Sequence, residues 1–150
     1  MKFLIQRVTQ ASVKVEGRTV GSIGSGFLVF IGVCAEDTTA EADKLIKKML
    51  GLRIFQDENG KTNLSLDDVG GELLLISQFT LYADCKKGNR PSFIKAGSAG
   101  HAQELYEYII NSCRLLKPAM KIETGIFGAD MKVELLNDGP FTIILDNTEL

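Results

Sequence analysis

The chain has little of the side-chain chemistry on which most enzymes depend. Among its 150 residues there is one histidine, His101, and no closely spaced group of histidines, cysteines and carboxylates. His101 lies at the start of a predicted helix with no second partner in view, where an imidazole is usually a surface group rather than a general base. We therefore expect neither a metal site nor a cofactor, and any chemistry must proceed without the usual acid and base side chains.

Cysteines are few, and long hydrophobic runs are absent. Cys34, Cys85 and Cys113 are widely spaced and form no CxxC pair, which favours reduced thiols over a disulfide framework or a zinc site. The longest apolar runs, residues 27–33 and 73–76, have the length of strands and are too short to span a bilayer. The first residues become polar too early for a signal peptide. These features predict a cytoplasmic protein that does not enter a membrane.

Positive charge is also scarce. The net charge is −2, so the chain lacks the basic field that marks a general nucleic-acid binder. One segment is the exception, because four basic residues cluster there: Lys86, Lys87, Arg90 and Lys95. A solvated loop is the simpler interpretation of this cluster, and a small patch for phosphate groups is the alternative. Cys85 directly precedes the cluster and could be an activated thiol, although no histidine lies near it.

The hydrophobic content of 45% is ordinary for a single domain over residues 1–150. Strands are predicted at residues 1–8, on both sides of a hairpin turn at Gly17, and in the buried run 27–33. Gly21, Gly24 and Gly26 precede that run without a lysine–serine pair or a following helix, so they predict a turn and not a phosphate loop. Further strands are predicted at residues 52–55, 73–83, 121–126, 131–136 and 141–145.

Two helices are predicted between these strands. Thr38 and Glu41 form a capping box that begins the first helix, and Gly51 is placed to end it. The second helix is expected from residue 98 to about residue 116, with four side chains facing inward: Leu105, Tyr108, Ile109 and Leu116. Seven or eight strands, mostly connected by hairpins, predict an α+β domain built on a mixed, mostly antiparallel sheet with two main helices.

Two short polar segments end strongly apolar stretches, and the first is Ser77-Gln78-Phe79-Thr80. If the strand continues through it, Gln78 and Thr80 share one face and can orient a polar substrate. If the strand frays there, the backbone N–H groups of Phe79 and Thr80 become free donors for an oxyanion. A strand end with internally satisfied polar groups is the simpler alternative.

The second segment, Asn137-Asp138-Gly139-Pro140-Phe141-Thr142, reads most simply as a turn that joins two strands. The alternative is a cis bond between Gly139 and Pro140, which only about 5% of X–Pro bonds adopt. A cis bond would hold the carbonyl groups of both residues on one side. Two fixed carbonyl groups are a suitable receptor for an ammonium group.

Taken together, these residues resemble the D-aminoacyl-tRNA deacylase family. The two signatures of that family, Ser-Gln-x-Thr and Asn-x-Gly-Pro-x-Thr, are both present and in the same order, at residues 77–80 and 137–142. Further similarity covers the beginning of the chain, residues 88–93 and residues 127–131. The resemblance therefore extends over the whole chain.

The resemblance implies a homodimer with a barrel-like core and with active sites at the subunit interface. It also implies that the Gly139–Pro140 bond is cis and that this loop reaches into the pocket of the partner. The two carbonyl groups would receive the α-amino group of the substrate and leave no room for an L side chain, while a D side chain points to solvent. Glycine, which has no side chain, would pass the same check.

The resemblance further assigns roles to individual residues. The catalytic pocket would be lined by one continuous segment: Ser77, Gln78, Phe79 and Thr80. Arg7 would brace the Gly-Pro loop, and Asn137 would belong with it to the substrate-binding set. The terminal adenosine would contact Phe127 and Met131. The phosphates of the tRNA acceptor stem would meet the basic cluster: Lys86, Lys87, Arg90 and Lys95.

The implied function is hydrolysis of the ester of D-aminoacyl-tRNA to free D-amino acid and tRNA. Nothing in the sequence offers Thr80 a base, which fits the family picture in which the 2′-hydroxyl of the terminal ribose assists the attacking water. Thr80 is therefore assigned a positioning role first and a nucleophilic role second. Three alternatives stay open: an editing deacylase for a mischarged L-aminoacyl-tRNA, a non-catalytic tRNA-binding module, and a thiol-dependent hydrolase built on Cys85.

Overall fold

The computed structural model describes residues 1–150 and has an α+β fold with eight strands and three α-helices. In chain order the elements are β1 (Lys2–Val15), β2 (Arg18–Ile23), β3 (Gly26–Gly32), α1 (Thr39–Leu50), β4 (Phe55–Gln56), β5 (Thr62–Leu64), α2 (Leu66–Val69), β6 (Glu72–Ser77), α3 (Ala99–Leu116), β7 (Ile122–Thr124) and β8 (Lys132–Asp146). Single 3₁₀ turns lie at Phe79–Tyr82 and Asn147–Glu149. No helix combines the length and the hydropathy that crossing a membrane requires.

Strand β1 organises the main sheet, because it pairs with three other strands. It is antiparallel to β2, β3 and β8, while β3 pairs in parallel with β6 and β6 with β7. The sheet curls until β2 approaches β7: a Cβ atom added at Gly21 would lie only 2.7 Å from the carbonyl oxygen of Thr124. The sheet is therefore mixed and nearly closed, which confirms the predicted fold class and its barrel-like core.

The larger core lies between this sheet and helices α1 and α3. Helix α1 begins with the predicted capping box, in which Thr38 and Glu41 satisfy each other's backbone N–H groups. Gly51 ends it with an ordinary right-handed backbone, and its apolar side chains at helical spacing are buried: Ala42, Leu45, Ile46, Met49 and Leu50. Tyr106 of α3 donates a hydrogen bond from its buried hydroxyl to the carbonyl oxygen of Leu75, at 2.7 Å. That bond fixes α3 against the parallel part of the sheet.

Four predicted strands differ in the structure. The strand predicted over residues 73–83 is wrong beyond Ser77: Gln78 still donates to the carbonyl oxygen of Ile31, and the chain then turns because β3 ends at Gly32 and offers no further partner. Residues 131–136 and 141–145 are not separate strands but parts of the continuous β8. Of residues 52–55, only the last belongs to a strand, which pairs with β5 in a separate hairpin.

The second predicted helix is confirmed, with one error on its inner face. Leu105 and Ile109 are buried and Tyr108 packs at the edge of the core, whereas Leu116 is 60% exposed because α3 has run past the sheet by its last turn. The short helix α2, capped by Ser65, was not predicted from the sequence.

Candidate functional site

The first signature forms a turn at the carboxyl end of β6. After Ser77 the chain enters the 3₁₀ turn Phe79–Tyr82, so Gln78 and Thr80 do not share the face of a strand. Their side chains meet nonetheless, since Gln78 Nε2 donates to Thr80 Oγ1 at 2.5 Å. The backbone N–H groups of Phe79 and Thr80 have no acceptor within the chain. The turn therefore offers two adjacent free donors and one threonine hydroxyl proton.

A cleft of about 520 Å³ lies directly beside this turn. Its walls are predominantly apolar, which suits a flat ring system, and Ser77, Gln78 and Phe79 form its polar edge. Phe127 and Met131 line the same cleft, so the structure brings these two predicted residues to the first signature. The segment between them, Gly128 to Asp130, completes the rim; the sequence marked it as part of the family resemblance but assigned it no role.

The second signature forms a loop that interrupts the ladder between β1 and β8. Gln6 pairs with Thr142 and Val8 with Asn137, so residues 138–141 stand opposite a single residue of β1. Asn137 closes the loop: its Oδ1 accepts the N–H of Phe141 at 3.0 Å and its Nδ2 donates to Thr142 Oγ1 at 2.9 Å. The Gly139–Pro140 peptide bond is cis, and both residues are exposed.

Arg7 is the single residue opposite the loop, and it holds the loop from beneath. Its side chain is buried, with Nε donating to the carbonyl oxygen of Asp138 at 3.0 Å and NH1 donating to that of Ile54 at 2.6 Å. The guanidinium group also lies 4.8 Å from the ring centre of Phe141. The bracing contact predicted for Arg7 is present, and the loop is a supported projection rather than a free turn.

Comparison with known proteins decides how these two signatures are to be understood. A family model described as D-Tyr-tRNA(Tyr) deacylase matches residues 4–146. The chain belongs to this family. A D-aminoacyl-tRNA deacylase of Desulfatibacillum aliphaticivorans is 54% identical over 98% of this chain and 99% of its own length. Another from Thermosipho africanus is 51% identical over 100% of this chain and 99% of its own length.

Solved structures of two proteins have the same fold. One is described as the c-Myc DNA Unwinding Element Binding Protein and superposes with a TM-score of 0.91 at 42% sequence identity. The match covers 97% of this chain and 98% of the other protein's chain. A structure described as a probable eukaryotic D-amino acid tRNA deacylase has a TM-score of 0.84 over 96% of this chain and 97% of its own, at 17% identity, which is a likeness of fold.

In this member of the deacylase family, the two signatures lie apart within one chain. Ser77 pairs with Ile31 of β3, whereas Arg7, beneath the loop, pairs with Phe27 of the same strand. The four residue steps from Phe27 to Ile31 span roughly 13 Å at about 3.3 Å per residue. No residue of the Gly-Pro loop lines the cleft. A single chain therefore carries two separate parts of the predicted site.

The predicted phosphate patch lies on a loop that follows the first signature. All four basic side chains are exposed, and two of them are connected to Asp84: the N–H of Lys86 donates to Asp84 Oδ1 at 3.0 Å, and Lys95 Nζ lies 3.4 Å from Asp84 Oδ2. The hydrogen bond from the Lys86 N–H lowers the pKa of the Asp84 carboxyl group and keeps it charged. Lys95 is thus partly neutralised, whereas Lys86, Lys87 and Arg90 have no carboxylate partner.

The remaining reactive side chains do not join the site. His101 is half-buried near Gly97, and its Nε2 has no hydrogen-bond partner. Cys85 is exposed on the basic loop, while burial raises the pKa values of Cys34 and, to about 12, of Cys113. No group of three or more histidines, cysteines and carboxylates is placed to hold a metal ion.

Proposed function

We propose that this protein hydrolyses the ester bond of D-aminoacyl-tRNA and releases D-amino acid and free tRNA. The observation that carries the proposal is the pair of unsatisfied N–H groups of Phe79, which lines the apolar cleft, and Thr80, which follows it and does not itself line the cleft. Such donors stabilise the negative oxygen that develops when water adds to an ester carbonyl. The relatives named D-aminoacyl-tRNA deacylase match over almost the whole chain, which supports the same chemistry here.

The reaction needs one water molecule and no cofactor. Water adds to the ester carbonyl carbon, the oxyanion is held by the two N–H groups, and the carbon–oxygen bond to the ribose then breaks. No histidine lines the cleft, and its one acidic residue, Asp130, is paired with Lys132. The neighbouring 2′-hydroxyl of the ribose therefore relays the proton of the attacking water to the departing ribose oxygen. Thr80 accepts a hydrogen bond from Gln78 and retains its own proton, which suits a donor that positions the substrate better than a nucleophile.

Chirality is checked by the Gly-Pro loop of the partner subunit. The carbonyl groups of Gly139 and Pro140 receive the α-ammonium group and fill the space that an L side chain would need, while D side chains and glycine are accepted. The separation of the two signatures within one chain supports a site shared between two chains. Exposed apolar side chains on β8 support a homodimer: Leu136 is 57% and Ile144 is 61% exposed.

The decisive assay measures single-turnover hydrolysis of D-tyrosyl-tRNA, L-tyrosyl-tRNA and glycyl-tRNA. We expect the D-tyrosyl and glycyl esters to be hydrolysed and the L-tyrosyl ester to survive. Equal or faster hydrolysis of the L ester would favour the alternative of an editing deacylase for mischarged L-amino acids. Binding of tRNA with every ester intact would favour the non-catalytic module, and loss of activity in Cys85→Ala would favour the thiol hydrolase.

Mixing two impaired variants tests whether the site is shared, with the activity of each variant alone as the baseline. A Gly139→Ala chain keeps the first signature, and a chain in which both Gln78 and Thr80 are alanine keeps the loop. If each site combines one signature from each chain, dissociating and reassembling an equal mixture restores about one quarter of the sites, because half of the dimers are mixed and each has one intact site. No restoration, or a mass equal to one 16.4 kDa chain in solution, would rule out the shared site.

We propose that the exposed basic loop contacts the phosphates of the acceptor stem. We also propose that the protein acts in the cytoplasm, where aminoacyl-tRNA is used. Charge contacts of this kind weaken with salt in proportion to their number. Replacing Lys86 and Lys87 with alanine should raise KM while kcat at saturation is kept. The slope of log KM against the logarithm of the salt concentration should fall by about two, because two phosphate contacts are lost. An unchanged salt slope would contradict this role.

A further inference from the structure

Phe79 supplies one of the two free N–H groups, yet its side chain packs against few other residues. The residue is 52% exposed, and its one aromatic partner is Phe93, whose ring centre lies 5.1 Å away at an interplanar angle of 72°. This edge-to-face arrangement is a favourable geometry for two aromatic rings. The ring of Phe79 therefore packs against a residue outside both signatures.

Phe93 belongs to the loop that carries the basic residues. Asp84 and Ser92 exchange two backbone hydrogen bonds, of 2.7 and 2.9 Å, and close the loop at its base. The Asp84 carboxylate reaches both sides of this closure through the N–H of Lys86 and the ammonium group of Lys95. Behind Phe93, Gly97 donates to the carbonyl oxygen of Val33 at 2.9 Å, which ties the end of the loop to the strand region.

We propose that Phe93 is a positioning residue for the reaction: it holds the Phe79 backbone donor in place and links it to the basic loop. The inference rests on the proposed function and extends it, because it assigns the position of one backbone donor in part to a residue outside both signatures. Phe93 touches neither the ester nor the water in this proposal. Its effect reaches the reaction through the ring of Phe79.

The test is a double-mutant cycle on single-turnover hydrolysis of D-tyrosyl-tRNA at saturating enzyme. We expect Phe93→Ala to lower the rate constant about twofold to twelvefold, the range that the loss of one aromatic pair gives. The concentration giving half-maximal rate should change less than twofold. Phe93→Tyr keeps the ring and should restore the rate. Phe79→Ala should cost a similar factor, and the double variant no more than the larger single one.

A control variant separates a positioning effect from a general effect of removing an exposed apolar side chain. Leu115→Ala, on an 82% exposed side chain at the far end of α3, is the matched control and should leave the rate unchanged. Multiplicative losses in the double variant, or a Phe93→Ala enzyme as fast as the wild type, would overturn the inference. If the wild-type protein itself left D-tyrosyl-tRNA intact, the proposed function would fail instead, so the two failures are distinguishable.

Discussion

Gly139 has a backbone that only glycine adopts easily, and it stands where added bulk has no space. Its φ is +133°, and a Cβ atom there would lie 3.0 Å from NH2 of Arg7 and 3.2 Å from the backbone nitrogen of Phe141. Both neighbours are held by their own hydrogen bonds, so they cannot move aside without loss. One missing side chain thus determines the shape of the loop.

We expect Gly139→Ala to reduce hydrolysis of D-tyrosyl-tRNA by at least about tenfold, since a 1 Å misplacement can cost more than that. The backbone strain should also cost about 1–2 kcal/mol, or roughly 2–8 °C in Tm for a chain of this size. Gly60→Ala is the matched control: φ is +74°, and nothing lies within 4 Å of the added atom. It should lose similar stability and keep its activity, and an active Gly139→Ala enzyme would refute the role of the loop.

Thr80 permits a sharp distinction between a positioning group and a nucleophile. With its oxygen already accepting from Gln78, removal of the hydroxyl should lower the single-turnover rate by about 10- to 100-fold without abolishing it. A substrate whose terminal ribose lacks the 2′-hydroxyl should be hydrolysed far more slowly by both enzymes. Complete loss in Thr80→Ala, together with an acyl-enzyme adduct in Thr80→Ser, would favour the nucleophilic role.

At the scale of elements, the conformation of the Gly-Pro loop depends on the pairing of β1 with β8 and not on residues 137–142 alone. The Gly-Pro pair predicted a turn between separate strands, because local turn chemistry cannot show that β1 pairs with β8 on both sides of it. The same limitation applies to Ser77, where the apolar run gave no indication that β3 would end and leave β6 without a partner. The helices were predictable because capping and apolar spacing are local.

Arg7 connects the Gly-Pro loop to the segment that contains Ile54, and its replacement should lower the stability of the fold. Arg7→Ala leaves the buried carbonyl oxygen of Ile54 and that of Asp138 without their donor, at about 1–3 kcal/mol for each such group. We expect a loss of roughly 2–5 kcal/mol in the free energy of unfolding, measured with guanidinium chloride. Arg53→Ala also removes hydrogen bonds to a backbone carbonyl, but from an exposed arginine, and should cost less than about 1 kcal/mol. Similar losses in both variants would contradict the bracing role.

At the scale of the whole molecule, the family resemblance predicted how the two signatures work together, which the pattern of residues alone could not. Spacing alone placed Ser77 and Gly139 at strand ends, but the separation of the two signatures in one chain depends on the order of strands in the sheet. The dependence of Phe79 on Phe93 was invisible for the same reason, since thirteen intervening residues form a loop whose closure no local signal marks.

The core also sets the response of the folded protein to high pH. Burial raises the pKa values of Cys113 and Tyr106 to about 12, from 9.0 and 10.0 in an unfolded chain. Below pH 9 the stability from their protonated forms is fully present, and it falls between pH 9 and 12 because the unfolded chain releases these protons first. We expect the urea midpoint to decline over this range, and less steeply in Cys113→Ala. An identical decline in that variant would show that other groups dominate.

The pairing of the first long strand with the last one has a consequence for synthesis. Lys14 pairs with Lys132, 118 residues later (132 minus 14), and Lys2 pairs with Asp146. At about 5–20 residues per second, a ribosome needs roughly 6–24 s to make the intervening chain, and throughout that interval one edge of β1 is open to other chains. A polypeptide released before residue 132 would keep that open edge permanently, so truncated products of this protein should aggregate rather than persist as soluble fragments.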